Sequence, residues 1–326
     1  MSLWLNQNDV QSLLTMPDAI DAVEEAFRQL AEGDAMLPQR VGVGVAKHGG
    51  GGAAMPAYVG GEVDGLGVKV VTLFVNNARL GLPVVNATIL LLDPATGQLR
   101  AVMDGGYLTA VRTGAVSGVA TNYLARADAS IVTIFGAGVQ ARKQLEAMCA
   151  VRPIAKALVV NVQPETAKRF ADEMSASLGV GVRPAADTRN AVEAADIIIT
   201  ATSAHDPIFD GSWVQPGTHI NAIGSHAPAW RELDTTTLQR AKVIADQATA
   251  CLAEAGDLII PIQKGAITEE HIYAELGEIV AGSKPGREGD DEITLFKSVG
   301  LAIQDVAVAA LVYRRAQEAG VGQILG

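Results

Sequence analysis

The stretch SIVTIFGAGVQARKQLEAM, residues 130–148, decides the fold. An apolar, β-branched run from Ile131 to Phe135 stops at Gly136, and helix-forming residues begin directly after Gly138. Gly136, Gly138 and Ala141 make a G-x-G-x-x-A spacing. The first glycine permits a tight turn, the second lets the backbone approach a pyrophosphate, and the small third residue lets helix and strand pack closely. The start of the following helix supplies N–H groups and the positive end of its dipole to the phosphates. Alone, the pattern arises by chance in a chain with 34 glycines. Between a strand and a helix it points to a dinucleotide-binding βαβ unit.

Outward from this turn the texture holds. From Ala129 onward SIVTIF, ALVVNV, DIIITAT, THINAIG and KVIADQ alternate with segments such as QARKQLEAMCA and PETAKRFADEMSASL. Strands alternating with helical segments predict a Rossmann-type, doubly wound parallel sheet over 126–299. The preceding residues differ. PDAIDAVEEAFRQLAE, 17–32, puts Ile20, Val23, Phe27 and Leu30 on one helical face. RVGVGVA, GLGVKVVTLFV, ATILLLD and QLRAVMD then read as a largely antiparallel sheet, with DPATG as a hairpin turn. A small-residue helix, DGGYLTAVRTGAVSGVATNYLA, follows. A long final helix is expected to start at a Ser298 cap. The expected fold is thus α/β, the parallel sheet joined by an α+β substrate and dimerisation domain made of 1–125 with 300–326.

At 326 residues and 49% hydrophobic content the chain can bury two cores, and only 4% aromatics means that they are aliphatic. A net charge of −11 argues against nucleic acid or an anionic membrane as partner, since both need a basic footprint. The two cysteines, Cys149 and Cys251, fit neither a metal spacing nor a disulfide framework. With no signal-peptide pattern, a cytoplasmic location is the default.

A dinucleotide site usually carries Asp or Glu at the end of its second strand, on the ribose hydroxyls. Here VVNVQPET puts Asn161 there. Without that carboxylate a 2′-phosphate meets no repulsion, and Lys168 or Arg169 lies close in sequence, so NADPH is favoured over NADH. The alternative for both cations is a solvated helix face.

Three cations stand where cations seldom do. Lys69 lies in GVKVVTLF, a strand with no polar face. Arg112 shares a helical stripe with Leu108, Ala115 and Val119, and Arg40 opens RVGVGV. Arg is a natural bidentate clamp for a carboxylate, and a Lys beside it adds charge and a proton. An internal ion pair to one of the 36 acids explains each equally well singly; three together shift the balance toward a carboxylate ligand. Asp305, on a stripe with Leu301, Val308 and Val312, is the mirror case, fit to pair with a cation or to meet a substrate nitrogen.

The blocks KVVTLFVNN, ILLLDPATGQLRAVMDGGYLTAVRTGAVSGVAT, FGAGVQAR, NAIGSHAPAWRELD and DEITLFKSVGLAIQD resemble, in order, those of the ornithine cyclodeaminase/mu-crystallin family. The resemblance implies a homodimer and a small amino- or imino-acid substrate. It also implies that Arg40, Lys69 and Arg112 bind the substrate carboxylate. On the cofactor side it implies Thr113, Gly136, Gly138, Val139, Gln140, Asn161, Thr202, Ser203, Ser225, Ser298 and Val299, with Lys297 in the same last segment. Family cyclodeaminases carry an Asp where this chain has His226. An imidazole cannot replace a carboxylate in holding an ammonium, so the resemblance turns toward NAD(P)H-dependent reduction of cyclic ketimine carboxylates. Lys69 or His226 is then the proton donor, and Asp305 a substrate contact. Ornithine cyclodeamination, alanine dehydrogenation and mu-crystallin-like ligand binding are the alternatives. Met55, Tyr58 and Asn77 are candidates for shaping the side-chain pocket.

Overall fold

The computed structural model describes residues 2–325. The chain divides into two compact units. A terminal unit comprises Met1–Thr113 with Leu301–Gly326, and a central unit comprises Gly114–Gly300. The division falls inside the helix Gly105–Leu124 rather than at residue 125. The reason is hydrogen bonding: Arg152 donates to the Thr121 carbonyl (2.7 Å), Arg287 to that of Leu124 (2.6 Å), and Asn221 to the Thr121 hydroxyl (3.0 Å). These bonds tie the second half of the helix to the central unit.

The strands, in chain order, begin with β1 Ser2–Leu5, β2 Ala35–Met36, β3 Val41–Val45, β4 Gly50–Val59, β5 Gly65–Phe74, β6 Val85–Leu92 and β7 Leu99–Asp104. The central unit adds β8 Ile131–Phe135, β9 Lys156–Val160, β10 Gly181–Pro184, β11 Ile197–Thr200, β12 His219–Ala222, β13 Lys242–Ala245, β14 Ile272–Glu275 and β15 Thr294–Lys297. Last comes β16, Gln323–Leu325.

The terminal unit's sheet runs β16-β1-β7-β6-β5-β4-β2, with β3 paired to β4. It is antiparallel except where β1 lies parallel to β7. β4, GGGAAMPAYV, carries no strand signature in its sequence, yet it pairs along its whole length with β5. In that register Lys69 sits between Met55 on β4 and Ile89 on β6. Gly65 and Gly67 take the same face of β5, and a Cβ on either would lie 3.0–3.2 Å from Val306. Their bareness lets the C-terminal helix, Ala302–Ala319, lie directly on the strand and brings Asp305 to Lys69. That helix starts after Leu301, not at Ser298, whose hydroxyl is used elsewhere. The helix Met16–Glu32 packs against it; Thr15 caps its start, Gly33 at φ 80° closes it, and Val23 and Phe27 are fully buried.

The central sheet is parallel throughout, in the order β10-β9-β8-β11-β12-β15-β13-β14. Its middle strands, such as IIIT in β11, are buried along their length, as strands covered on both faces must be. The order reverses between β8 and β11, and ligands of such sheets bind outside the strand ends at that point. Thr200 pairs with Phe135, so the ends of the two strands lie level.

Candidate active site

At the strand reversal the turn after β8 is built as its spacing requires. Gly136 has φ +100°, and a Cβ there would sit 2.4 Å from the carbonyl oxygen of Ala201 beyond β11. Only glycine fits on both counts. Gly138 precedes the helix Val139–Val151 with no side-chain cap, and nothing stands within 4 Å of where its Cβ would be. Arg142 donates to the carbonyls of Ala137 and Gly138 (2.7 and 3.0 Å) and pairs with Glu173 (2.6 Å), which fixes the loop. Gln140 Oε1 is buried without a hydrogen-bond partner among the described residues. Uncapped N–H groups and open space over Gly138 fit a dinucleotide's pyrophosphate.

Asn161 follows β9 directly, its amide donating to the Gln163 carbonyl (3.2 Å). Val162 beside it is 96% exposed. Lys168 and Arg169 lie on the exposed face of the helix Pro164–Leu178.

The remaining strand ends are held by buried acids that sequence reasoning did not single out. Glu232, fully buried, accepts from the Thr200 hydroxyl (2.7 Å), the Thr202 N–H and hydroxyl (2.6 and 2.7 Å) and the Gly224 N–H (2.9 Å). A Cβ on Gly224 would strike this carboxylate at 2.4 Å. Burial and the neighbouring Asp257 push the Glu232 carboxyl up from its ordinary range. Asp257 accepts the Glu232 and Leu233 N–H groups and pairs with Lys297 (2.8 Å), whose ammonium also donates to the Ser225 carbonyl (2.8 Å). Asp246, just past β13, accepts through one oxygen from the Ser298 hydroxyl and the Val299 and Gly300 N–H groups (2.7–2.9 Å). An acid closing an apolar strand, as in KVIADQ, was the available signal for Asp246. RELD reads as solvated and gave none for Glu232.

These bonds bear on the expected cofactor residues. Thr202, Ser225, Lys297 and Ser298 all have polar side chains turned to internal partners. Ser203 is exposed. Thr113, in the other unit, donates to the Thr109 carbonyl (2.7 Å). His226 lies four residues beyond β12 and is exposed, its Nδ1 donating to the Gly224 carbonyl (2.9 Å), its ring edge-on to Trp230.

In the terminal unit Lys69, Arg112 and Asp305 meet, although Asp305 follows Arg112 by 193 residues. Lys69 Nζ lies 2.6 Å from Asp305 Oδ2, and Arg112 Nε 2.9 Å from Oδ1. Asp305 thus faces a cation with each carboxylate oxygen, although Oδ2 makes no hydrogen bond among the described residues. Arg112 Nη1 also donates to Gln304 Oε1 (2.6 Å), while Nη2 has no partner among the described residues. Burial, aggravated by Arg112 and Arg40 and only partly offset by Asp305, brings the Lys69 ammonium down to about 7. Met55 is buried opposite Lys69. Tyr58 is not on that face: three residues along β4, it bonds Asp64 (3.4 Å). The Asn77 amide donates to the Pro83 carbonyl (2.8 Å) and shapes its own loop.

The parallel sheet and its glycine turn, joined to a unit bearing a buried cationic cluster, define an NAD(P)-dependent oxidoreductase. The family model described as "Ornithine cyclodeaminase/mu-crystallin family" matches residues 2–320, and the chain belongs to that family. It is 50% identical, with a TM-score of 0.96, to the Δ1-pyrroline-2-carboxylate reductase of Thermococcus litoralis solved with NADH and L-proline, over 99% of this chain and 100% of that one. An archaeal alanine dehydrogenase dimer with bound NAD is 40% identical at a TM-score of 0.94, over 100% and 99%. The Δ1-pyrroline-2-carboxylate reductase of Bacillus cereus is 40% identical, covering 98% of both chains.

Proposed function

We propose that this protein is an NAD(P)H-dependent reductase of cyclic ketimine carboxylates, Δ1-pyrroline-2-carboxylate and Δ1-piperideine-2-carboxylate. One observation carries the reading: buried Lys69 and Arg112 share the single carboxylate of Asp305. The cluster therefore keeps a surplus positive charge in a desolvated place, which an anionic substrate neutralises. It also lacks an uncommitted acid to hold the second ammonium of ornithine, which disfavours cyclodeamination.

Arg112 Nη2 and Arg40 bind the carboxylate, and Lys69 protonates the nitrogen. An ammonium brought to about 7 is matched to giving up a proton near neutral pH. His226, exposed and without a carboxylate partner, is left as a bystander. On the cofactor side Gly136, Gly138, Val139 and Gln140 hold the pyrophosphate, and Asn161 the adenosine ribose. Thr202, Ser203, Ser225, Ser298 and Val299 contribute backbone and shape. Bound NAD(P)H supplies the hydride to the C=N carbon. The missing acid at Asn161 favours NADPH, whereas the related T. litoralis and archaeal structures contain NADH and NAD. Asn161→Asp should lower kcat/KM for NADPH at least tenfold relative to NADH.

The working unit is a homodimer. Met36, Val41, Val43, Val75, Leu80, Leu82 and neighbouring residues of the terminal unit leave an apolar surface exposed, as a monomer seldom does. The deciding experiment measures NADPH and NADH oxidation with the two cyclic imines and with pyruvate plus ammonia. Consumption only with pyruvate and ammonia favours the alanine dehydrogenase reading, supported by that relative. Consumption with none overturns the reductase.

A further inference from the structure

We propose that Gln304 is a substrate-binding residue whose side-chain N–H donates to the carboxylate of the ligand beside Arg112; this rests on the carboxylate-binding reading above. A guanidinium only donates, so the amide must turn its oxygen to Arg112 Nη1, as it does at 2.6 Å. That contact fixes which way the amide faces. Its nitrogen, on the same carbon, then stands beside the guanidinium as a donor.

Gln304 is fully buried, and Nε2 has no hydrogen-bond partner among the described residues. Buried donors are rarely left unmet, because the lost bond to water is not recovered. The cluster does not meet it: Lys69 and Arg112 are donors, and Asp305, whose two oxygens face them, accepts no bond from Nε2. A bound carboxylate supplies the missing acceptor. Arg112 contacts Asp305 through Nε and Gln304 through Nη1, which leaves Nη2 as a second donor beside the amide. Two adjacent donors match the two oxygens of a carboxylate. The same arrangement rejects an ammonium, which would meet only N–H groups.

The test uses the full-length protein saturated with NADPH, and pyrrole-2-carboxylate, a planar mimic that cannot be reduced, titrated by calorimetry. Gln304→Glu keeps the acceptor for Arg112 and turns the free donor into a charged acceptor. Gln304→Met removes both. A purely structural role makes Met the worse change, because it orphans Arg112 Nη1. Donation to the ligand makes Glu the worse one. We expect Glu to weaken pyrrole-2-carboxylate roughly 10- to 100-fold and Met less, with NADPH affinity within about threefold of the parent. Met worse than Glu, or parental affinity in both variants, overturns the proposal, the latter meaning that solvent alone satisfies the amide. If the parent binds the mimic but reduces no imine, the reductase reading falls and Gln304 is still judged by the two variants. If the parent binds no carboxylate, both fall.

Discussion

The protein buries two lysines against aspartates, and the surroundings drive them in opposite directions. Lys297, in the central unit, is opposed by burial, yet Asp257 and Glu232 hold its ammonium above the ordinary lysine range. Lys69, in the terminal unit, is brought down to about 7 by burial and by Arg112 and Arg40, with only Asp305 in its favour. The first cluster has one cation to two acids, and nearly every donor and acceptor in it meets an internal partner. The second has more cations than acids and unmet N–H groups. Burial of charge alone therefore does not tell the two clusters apart; the completeness of internal pairing does.

Removing each lysine in turn should have opposite consequences, one for stability and one for activity. Lys297→Met should leave Asp257 as an uncompensated buried charge and cost about 3–5 kcal/mol of stability, read from urea denaturation. A cost below about 1 kcal/mol would remove the architectural role. Lys69→Met should fold, bind NADPH as the parent does, and lose roughly 10²- to 10⁴-fold in kcat on the cyclic imine. An active variant would return proton donation to His226 or to solvent.

The pH profile sharpens the same contrast. If Lys69 gives the proton as proposed, kcat/KM should be level below pH 7 and fall about tenfold per unit above it. Because its folded value lies below the unfolded 10.5, the unfolded chain binds the extra proton between about 7 and 10.5. Stability from this group should therefore rise with pH across that window. The smallest effect is expected for His226→Asn, within about threefold of the parent in kcat/KM. A loss of a hundredfold would restore the imidazole to the mechanism.

The glycine turn was legible because its logic is local: strand, turn and helix are contiguous, and each residue type has a geometric reason. Lys69, Arg112 and Asp305 were legible only as misplaced charges. Their meeting depends on β4 and on the C-terminal helix lying across β5, and neither the glycine-rich β4 nor that crossing has a periodic signature. Gln304 was invisible, since a glutamine in a helix is ordinary until its oxygen is seen to be taken. Ser298 misled for the opposite reason. A serine before a helical run reads as a cap, and Asp246, 52 residues earlier, had already claimed its hydroxyl.

The terminal unit's split along the chain has a consequence for synthesis. Lys69 and Arg112 leave the ribosome well before their shared counter-ion, because the whole central unit is made first. At 5–20 residues per second, the 193 residues from Arg112 to Asp305 take roughly ten to forty seconds. Throughout that interval the nascent half-unit cannot close over its cations without leaving them unneutralised. Closure of the unit is therefore expected to follow translation of the last helix, which brings Asp305.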